Sequence, residues 1–333
     1  MSEKPTTLVK KITKQFGIKA AAQKRIRGGI YRIVTPDGRK FSLKRMTNQP
    51  ARIRWMDRML IRVQRKGPLL AWRNPQKPEG RKPYAISRNG EIFVLTPWIS
   101  GREPSPLSLA DMRACGRALA KFHKAGETAL HGVISQSQIG EWYSKLHRWQ
   151  HYLQKKMAKA KANRFSVPIN RFIQQHGPKI LRYANQAEAI LRSSGYDSYR
   201  KNPRQYGVLC HGDGGPSNFI RNNKGTYLID FETLHVDLRA YDLYRVIYNS
   251  CKDYRWNFSI AKAILDGYRE VTKLKKMDYK LMRAWLRFPF TTFLVVSPFK
   301  RIPFTKDRLQ WALDNEQRIS SFLQKLEEYE KRH

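Results

Sequence analysis

The sequence predicts an α+β fold in two parts, a small strand-rich N-terminal part and a larger, mainly helical C-terminal one. Three observations carry this. The first hundred residues alternate short β-prone runs with Gly-containing turns. Ser100-Gly101, with Pro104 and Pro106 close behind, breaks that pattern. Beyond the break, apolar residues recur at helical spacing, apart from one β-type stretch between Val208 and Asp230.

Taken in order, Ala22 to Arg27 leads through Gly28-Gly29 to Ile30–Thr35, then through Pro36-Asp37-Gly38 to Lys40–Met46. Asp-Gly between β-prone runs is a hairpin signal, because Gly tolerates positive φ. Pro50 to Lys66 carries Ile53, Met56, Leu60 and Val63 at helical spacing, and a proline suits the first turn of a helix. Gly67-Pro68 ends it. Tyr84–Ser87 and Glu91–Thr96 flank Arg88-Asn89-Gly90 as a further hairpin. The N-terminal part is therefore three strands, a helix and two more strands. Past the break, Ser108 starts a helix through Ala125. Glu141–Lys161 is a long basic helix rich in aromatic residues, and Asn170–Ser193 reads as one or two more. From Asp242 to the C-terminus the chain is helical again.

Sixty-five Lys and Arg against 26 Asp and Glu give a net charge of +39, and +19 of it lies in residues 1–100. Such a surface attracts anionic polymers, membranes and phosphorylated ligands, and says nothing about fold. With 41% hydrophobic and 12% aromatic residues, the chain can still build a sizeable core. Cys115, Cys210 and Cys251 form neither a disulfide framework nor a metal signature. Met1 to Ala22 holds five lysines and no apolar core, which is not the pattern of a secretory signal. The most apolar stretch, Phe288–Phe299, falls well short of the roughly 20 residues a spanning helix needs. A soluble intracellular protein is expected. In the 141–161 helix, Trp142, Leu146, Trp149 and Leu153 recur at packing intervals; the alternative is a face for anionic polymer or nucleic acid. No helix-turn-helix, zinc or RRM pattern supports the nucleic-acid reading. Trp285–Phe304 reads as buried core.

The chemistry lies between Val208 and Tyr248. His211-Gly212-Asp213 is followed by Asn218, and a short hairpin then leads to Asp230-Phe231-Glu232. A loop thus carries one carboxylate and a short amide oxygen, and a two-stranded ribbon returns a second carboxylate beside them. Asn218 and Asp230 can hold Mg²⁺, a cation that takes few protein ligands and keeps phosphate and water for the rest. Asp213 can accept a hydroxyl proton in line with a γ-phosphate.

His-Gly-Asp-x-x-x-x-Asn followed by Ile-Asp-Phe-Glu resembles the aminoglycoside phosphotransferase / choline kinase branch of the protein-kinase-like fold. The lead-in Leu209-Cys210-His211-Gly212-Asp213 and the trailing Asp237-Leu238-Arg239-Ala240-Tyr241-Asp242-Leu243 resemble more specifically the spore-coat kinase-like proteins of the CotS type. The resemblance implies a nucleotide-binding lobe over residues 1–98 and a catalytic and acceptor-binding lobe over 99–333. It implies an ATP- and Mg²⁺-dependent phosphotransferase with a hydroxyl acceptor, made in the cytoplasm and associated with the bacterial spore coat. The rival expectation is a weak or inactive kinase-fold scaffold that docks on anionic coat or envelope polymers.

Residue by residue, it implies Asp213 as catalytic base, with His211 packing the loop against the metal-binding strand. Asn218 and Asp230 are the implied metal ligands. Asp242 is the helix-borne acid that accepts hydrogen bonds from the catalytic-loop backbone. Lys44 is the lysine on the α/β-phosphates, and Gly28-Gly29 the turn over the phosphates. Thr96 to Gly101, with Thr96 and Trp98 among the nucleotide contacts, is the hinge that reads adenine. Two departures stand out. The turn is Arg27-Gly28-Gly29-Ile30 rather than a full Gly-x-Gly-x-x-Gly. The helix after the third strand has no glutamate for Lys44, and Asp57 is its only acid. Either Asp57 makes that pair over a shorter reach, or the pair is absent and Asp57 is a solvated helix acid.

Overall fold

Turn chemistry and period-two patterning build the N-terminal sheet. The computed structural model describes residues 5–130, 135–162, 168–297 and 305–333. Strands β1 (Ala22–Arg27), β2 (Ile30–Val34), β3 (Lys40–Met46), β4 (Ala85–Ile86) and β5 (Ile92–Pro97) form one antiparallel sheet in the order β1-β2-β3-β5-β4. Gly38 and Gly90 sit at φ 77° and 78° in the turns that the Asp-Gly and Asn-Gly pairs predict. In β3 and β5 the partners are Phe41↔Pro97, Ser42↔Thr96, Leu43↔Leu95 and Lys44↔Val94. Side chains alternate across a strand, so Phe41, Leu43, Phe93 and Leu95 face one side and Ser42, Lys44, Val94 and Thr96 the other. The first set is buried with Val9, Ile12 and Phe16. Those three belong to or just follow helix α1 (Pro5–Gln15), an element absent from the sequence expectations. The second set lines a cavity.

Helix α2 (Pro50–Gln64) has proline in its first turn and buries Ile53, Trp55, Met56, Met59, Leu60 and Val63. Contacts divide the chain into two units. The first combines Met1–Pro104 with Ala118–His131 and Ser217–Leu234. Within it, an antiparallel ribbon (Phe219–Asn222 with Gly225–Leu228) is stitched to the rest by single bridges Leu70↔Leu228 and Arg102↔Arg221.

The second unit comprises Ser105–Arg117, Gly132–Pro216 and His235–His333. Among the described residues it is built of helices, with one small strand pair, Val208–Cys210 against His235–Asp237. The helix Lys276–Arg287 packs on Pro168–Ser193, Arg239–Cys251 and Lys306–Lys331. The helix Trp142–Ala162 takes the packing role: Trp142, Leu146 and Leu153 are buried, and Trp149 meets Phe288, Phe290 and Phe293. Trp285 and Phe288 are buried in the same core. Residues 298–304, the end of the predicted apolar segment, lie outside the described residues. Among the described residues no helix is long and apolar enough to cross a membrane.

Candidate active site

In the first unit, the even face of β3 and β5 forms the floor of a cavity of about 360 Å³. Lys44, Thr96, Trp98, Asp230 and Glu232 all line it. Lys44 Nζ lies 2.5 Å from Asp230 Oδ1 and 2.8 Å from Glu232 Oε2, so one ammonium joins two carboxylates. Three features hold the Asp-Phe-Glu turn in place. Asp230 adopts a left-handed backbone at φ 64°, a conformation that Asp tolerates better than most residues. Phe231 is buried edge-on to Trp72 at 6.2 Å and stacked on Phe122 at 6.0 Å. Asn48 Nδ2 donates to the Glu232 carbonyl at 3.1 Å. Asn218 is nearly buried, and its carbonyl accepts from Ile229 N–H at 3.0 Å, which joins it to the strand end that carries Asp230. Two carboxylates beside a lysine are hard-oxygen donors of the kind suited to Mg²⁺ with phosphate; Asn218 itself is not among the residues that line the cavity.

Asp57 corrects both sequence expectations. It neither pairs with Lys44 nor stands in solvent. It lies on the buried face of α2, where Arg73 clamps it through Nε (2.6 Å to Oδ1) and Nη2, and Trp72 Nε1 donates to it at 2.9 Å. A short side chain on the core face meets what that core presents, and the irregular segment Leu70–Arg73 presents an arginine. Lys44 finds its second carboxylate in Glu232, in the turn that follows the ribbon, instead of in the helix.

The glycine turn is also placed differently from expectation. Ile26, Arg27 and Ile30 form the cavity wall there, while Gly28 and Gly29 line a separate, smaller pocket with Leu8, Tyr31 and Arg45. A bulge between Arg25 and Arg27 shifts the pairing register of β1. Gly29 is close-packed, since a Cβ there would meet Arg45 Cβ at 2.7 Å.

In the second unit, one helix face holds the His-Gly-Asp loop. The helix Arg239–Cys251 presents Asp242, Arg245, Val246 and Asn249, at spacings of three, four and seven residues. Asp242 is fully buried and accepts the N–H of His211 at 2.6 Å and of Gly212 at 2.8 Å. Asn249 Nδ2 donates to the Gly214 carbonyl at 2.6 Å. Gly214 is required by closeness, because a Cβ would stand 2.4 Å from Val246 Cγ2. His211 is buried, and its Nδ1 lies 3.4 Å from Asp213 N. Asp213 is half-exposed, and Arg245 Nη2 donates to its Oδ1 at 2.6 Å. Sequence reasoning passed over Arg245, although its position one helical turn after Asp242 was a usable signal. Cys210 is fully buried, and burial pushes its thiol pKa well up, which fits a small apolar residue with no acid-base part.

A five-stranded antiparallel sheet followed by a mainly helical remainder, with an Asp-bearing loop and an Asp-Phe-Glu turn, defines a protein-kinase-like phosphotransferase fold. The chain matches the phosphotransferase enzyme family over residues 27–278 and belongs to that family. It is 24% identical over 315 residues to spore coat protein S of Bacillus subtilis (strain 168), which covers 91% of this chain and 88% of that one. Among solved structures it is similar to an aminoglycoside phosphotransferase from Alicyclobacillus acidocaldarius, with a TM-score of 0.79 at 20% identity over 100% and 98% of the two chains. It is also similar to an amicoumacin kinase in complex with AMP-PNP and Ca²⁺, at TM-score 0.59, 12% identity and coverage of 96% and 94%. A spectinomycin phosphotransferase in complex with ADP and spectinomycin follows at 0.57, 13% identity and coverage of 93% and 94%.

Proposed function

We propose that this chain is an ATP- and Mg²⁺-dependent phosphotransferase that acts on a hydroxyl acceptor and serves in the bacterial spore coat. The observation that carries the reading is the Lys44 ammonium set between Asp230 and Glu232 in the wall of the cavity. A structural ion pair gains little at an accessible position, whereas a lysine beside two carboxylates is what a triphosphate and a divalent cation need. In this reading residues 1–98 hold the nucleotide, with Thr96 and Trp98 at its base and Lys44 on its α/β-phosphates. Asn218 and Asp230 would hold Mg²⁺, whose positive charge would offset that of the phosphates. Residues 99–333 supply the base and bind the acceptor. Asp213 orients the acceptor hydroxyl and takes its proton. Asp242 and His211 fix the backbone that carries Asp213. The matched family and the nucleotide-bound relatives support the activity, and the spore coat relative supports the setting.

A scaffold that only uses its +39 charge is the competing reading. Asp213→Asn separates the two. It keeps size and hydrogen bonding but removes the proton acceptor. The enzyme reading expects normal Mg·ATP binding, turnover lowered about 10²–10⁴-fold, and failure to restore the coat of a deletion strain. Full rescue by Asp213→Asn would refute it.

A further inference from the structure

We infer that the acceptor is itself anionic, a polyol or sugar bearing a phosphate or carboxylate group, and that Arg245 selects it. The inference rests on the phosphotransferase reading and adds the chemical class of the acceptor. The side chain proposed as base does not stand with other carboxylates. It is joined to a guanidinium at 2.6 Å, on the same helix face that holds its loop. Arg245 is largely buried, with the Phe290 ring 5.9 Å from its guanidinium carbon, while its partner Asp213 is half-exposed. The Nε of Arg245 is buried without a hydrogen-bond partner among the described residues. The guanidinium is therefore a fixed feature of the place where an acceptor hydroxyl must arrive.

A cationic acceptor, such as an amino sugar, would bring its ammonium groups against that guanidinium and would need further carboxylates to hold them. Four carboxylates of this unit are engaged elsewhere. Asp242 binds the loop amides, Asp237 the Trp142 indole, Asp278 is paired with Arg239 and Glu270 with Arg113 and Arg117. Glu316 is buried, and burial raises its pKa to about 8. An anionic acceptor meets the opposite situation. A guanidinium carries five N–H donors in a planar fork, so it can keep Asp213 on one edge and take a carboxylate or phosphate on another. The same cation would orient the base and recognise the acceptor.

The test is binding by calorimetry to the full chain at constant ionic strength, with sorbitol, glucosamine, gluconate and sorbitol 6-phosphate as probes. The two anions separate carboxylate from phosphate recognition. At least one of them should bind tenfold or more tightly than sorbitol and glucosamine. Arg245→Gln should bring that anion to the level of sorbitol. Asp213→Asn, which releases the guanidinium from its carboxylate, should bind it more tightly than the parent does. Equal binding of anion and neutral polyol, tighter binding of glucosamine, or an anion preference that survives Arg245→Gln would overturn the inference. If Arg245→Gln does not fold, Asp213→Asn decides, and unchanged or weaker anion binding overturns it. An intact anion preference without transfer from ATP would contradict the phosphotransferase reading and leave the charge selectivity standing. Transfer to sorbitol or glucosamine with no anion preference would do the reverse.

Discussion

Removing the Asp57 carboxylate tests the reassignment of the α2 acid. Asp57 and Arg73 are 6% and 8% exposed, and their ion pair is completed by the Trp72 indole N–H. Asp57→Ala leaves the guanidinium buried with no counter-charge, and one of its nitrogens, Nη1, already lacks a partner among the described residues. Breaking a buried pair from one side costs about 3–5 kcal/mol. With a urea dependence of about 1–3 kcal/mol per molar, the midpoint for this unit should fall by more than about 1 M. Hydrogen exchange at the amides of Ile53 to Val63 reports on the unit directly. The double variant Asp57→Leu with Arg73→Met should recover most of the loss, because matched apolar replacement of a buried pair is often neutral or better. A loss below about 1 kcal/mol, the range of exposed pairs, would refute the buried-pair account. A fall in nucleotide affinity as large as that of a Lys44 variant, with no loss of stability, would restore Asp57 as the partner of Lys44.

Two further outcomes follow from the geometry. Lys44→Ala should weaken Mg·ATP binding by about 1–3 kcal/mol, the scale of a lost charge-assisted hydrogen bond, and titration calorimetry measures it directly. Glu316, fully buried, has its pKa pushed up to about 8 by burial, against which the Thr292 amide and Arg287 pull. The folded chain therefore keeps a proton there that the unfolded chain releases above about 4.3. The proton-linked stability is whole below that value and is lost as pH rises towards about 8, at about 1.4 kcal/mol per unit. Glu316→Gln should remove that dependence and melt above the parent at pH 8.5 but not at pH 5; equal melting curves at both pH values would show that Glu316 is ionised in the fold.

The strands were legible because their turns carry their own chemistry. Asp37-Gly38 and Asn89-Gly90 fix hairpins locally, and the alternation of β3 already separates Phe41 and Leu43 from Ser42 and Lys44. The link between Asn218 and the strand end that carries Asp230 was legible because the ribbon between them is short-range. Helix α1 was hidden. Its buried stripe of Val9, Ile12 and Phe16 is narrow and runs among Lys10, Lys11 and Lys14, with no acid in its first turn. Asp57 was misread because its partner lies 16 residues away on an irregular segment, and backbone bonding to Leu228 fixes that segment. The facing of Gly28 and Gly29 depended on a bulge in β1 that no local pattern announces.

The central claim is that the Lys44–Asp230–Glu232 face of the cavity is a Mg·ATP site. Titration of ATP into the full chain with and without Mg²⁺, repeated on Asp230→Ala, tests it most directly. The account predicts that the parent binds ATP more tightly with Mg²⁺, and that Asp230→Ala loses the Mg²⁺ dependence while keeping the parent's circular dichroism. Binding that is the same with and without Mg²⁺ in the parent, or an Asp230→Ala variant that binds Mg·ATP as the parent does, would contradict it.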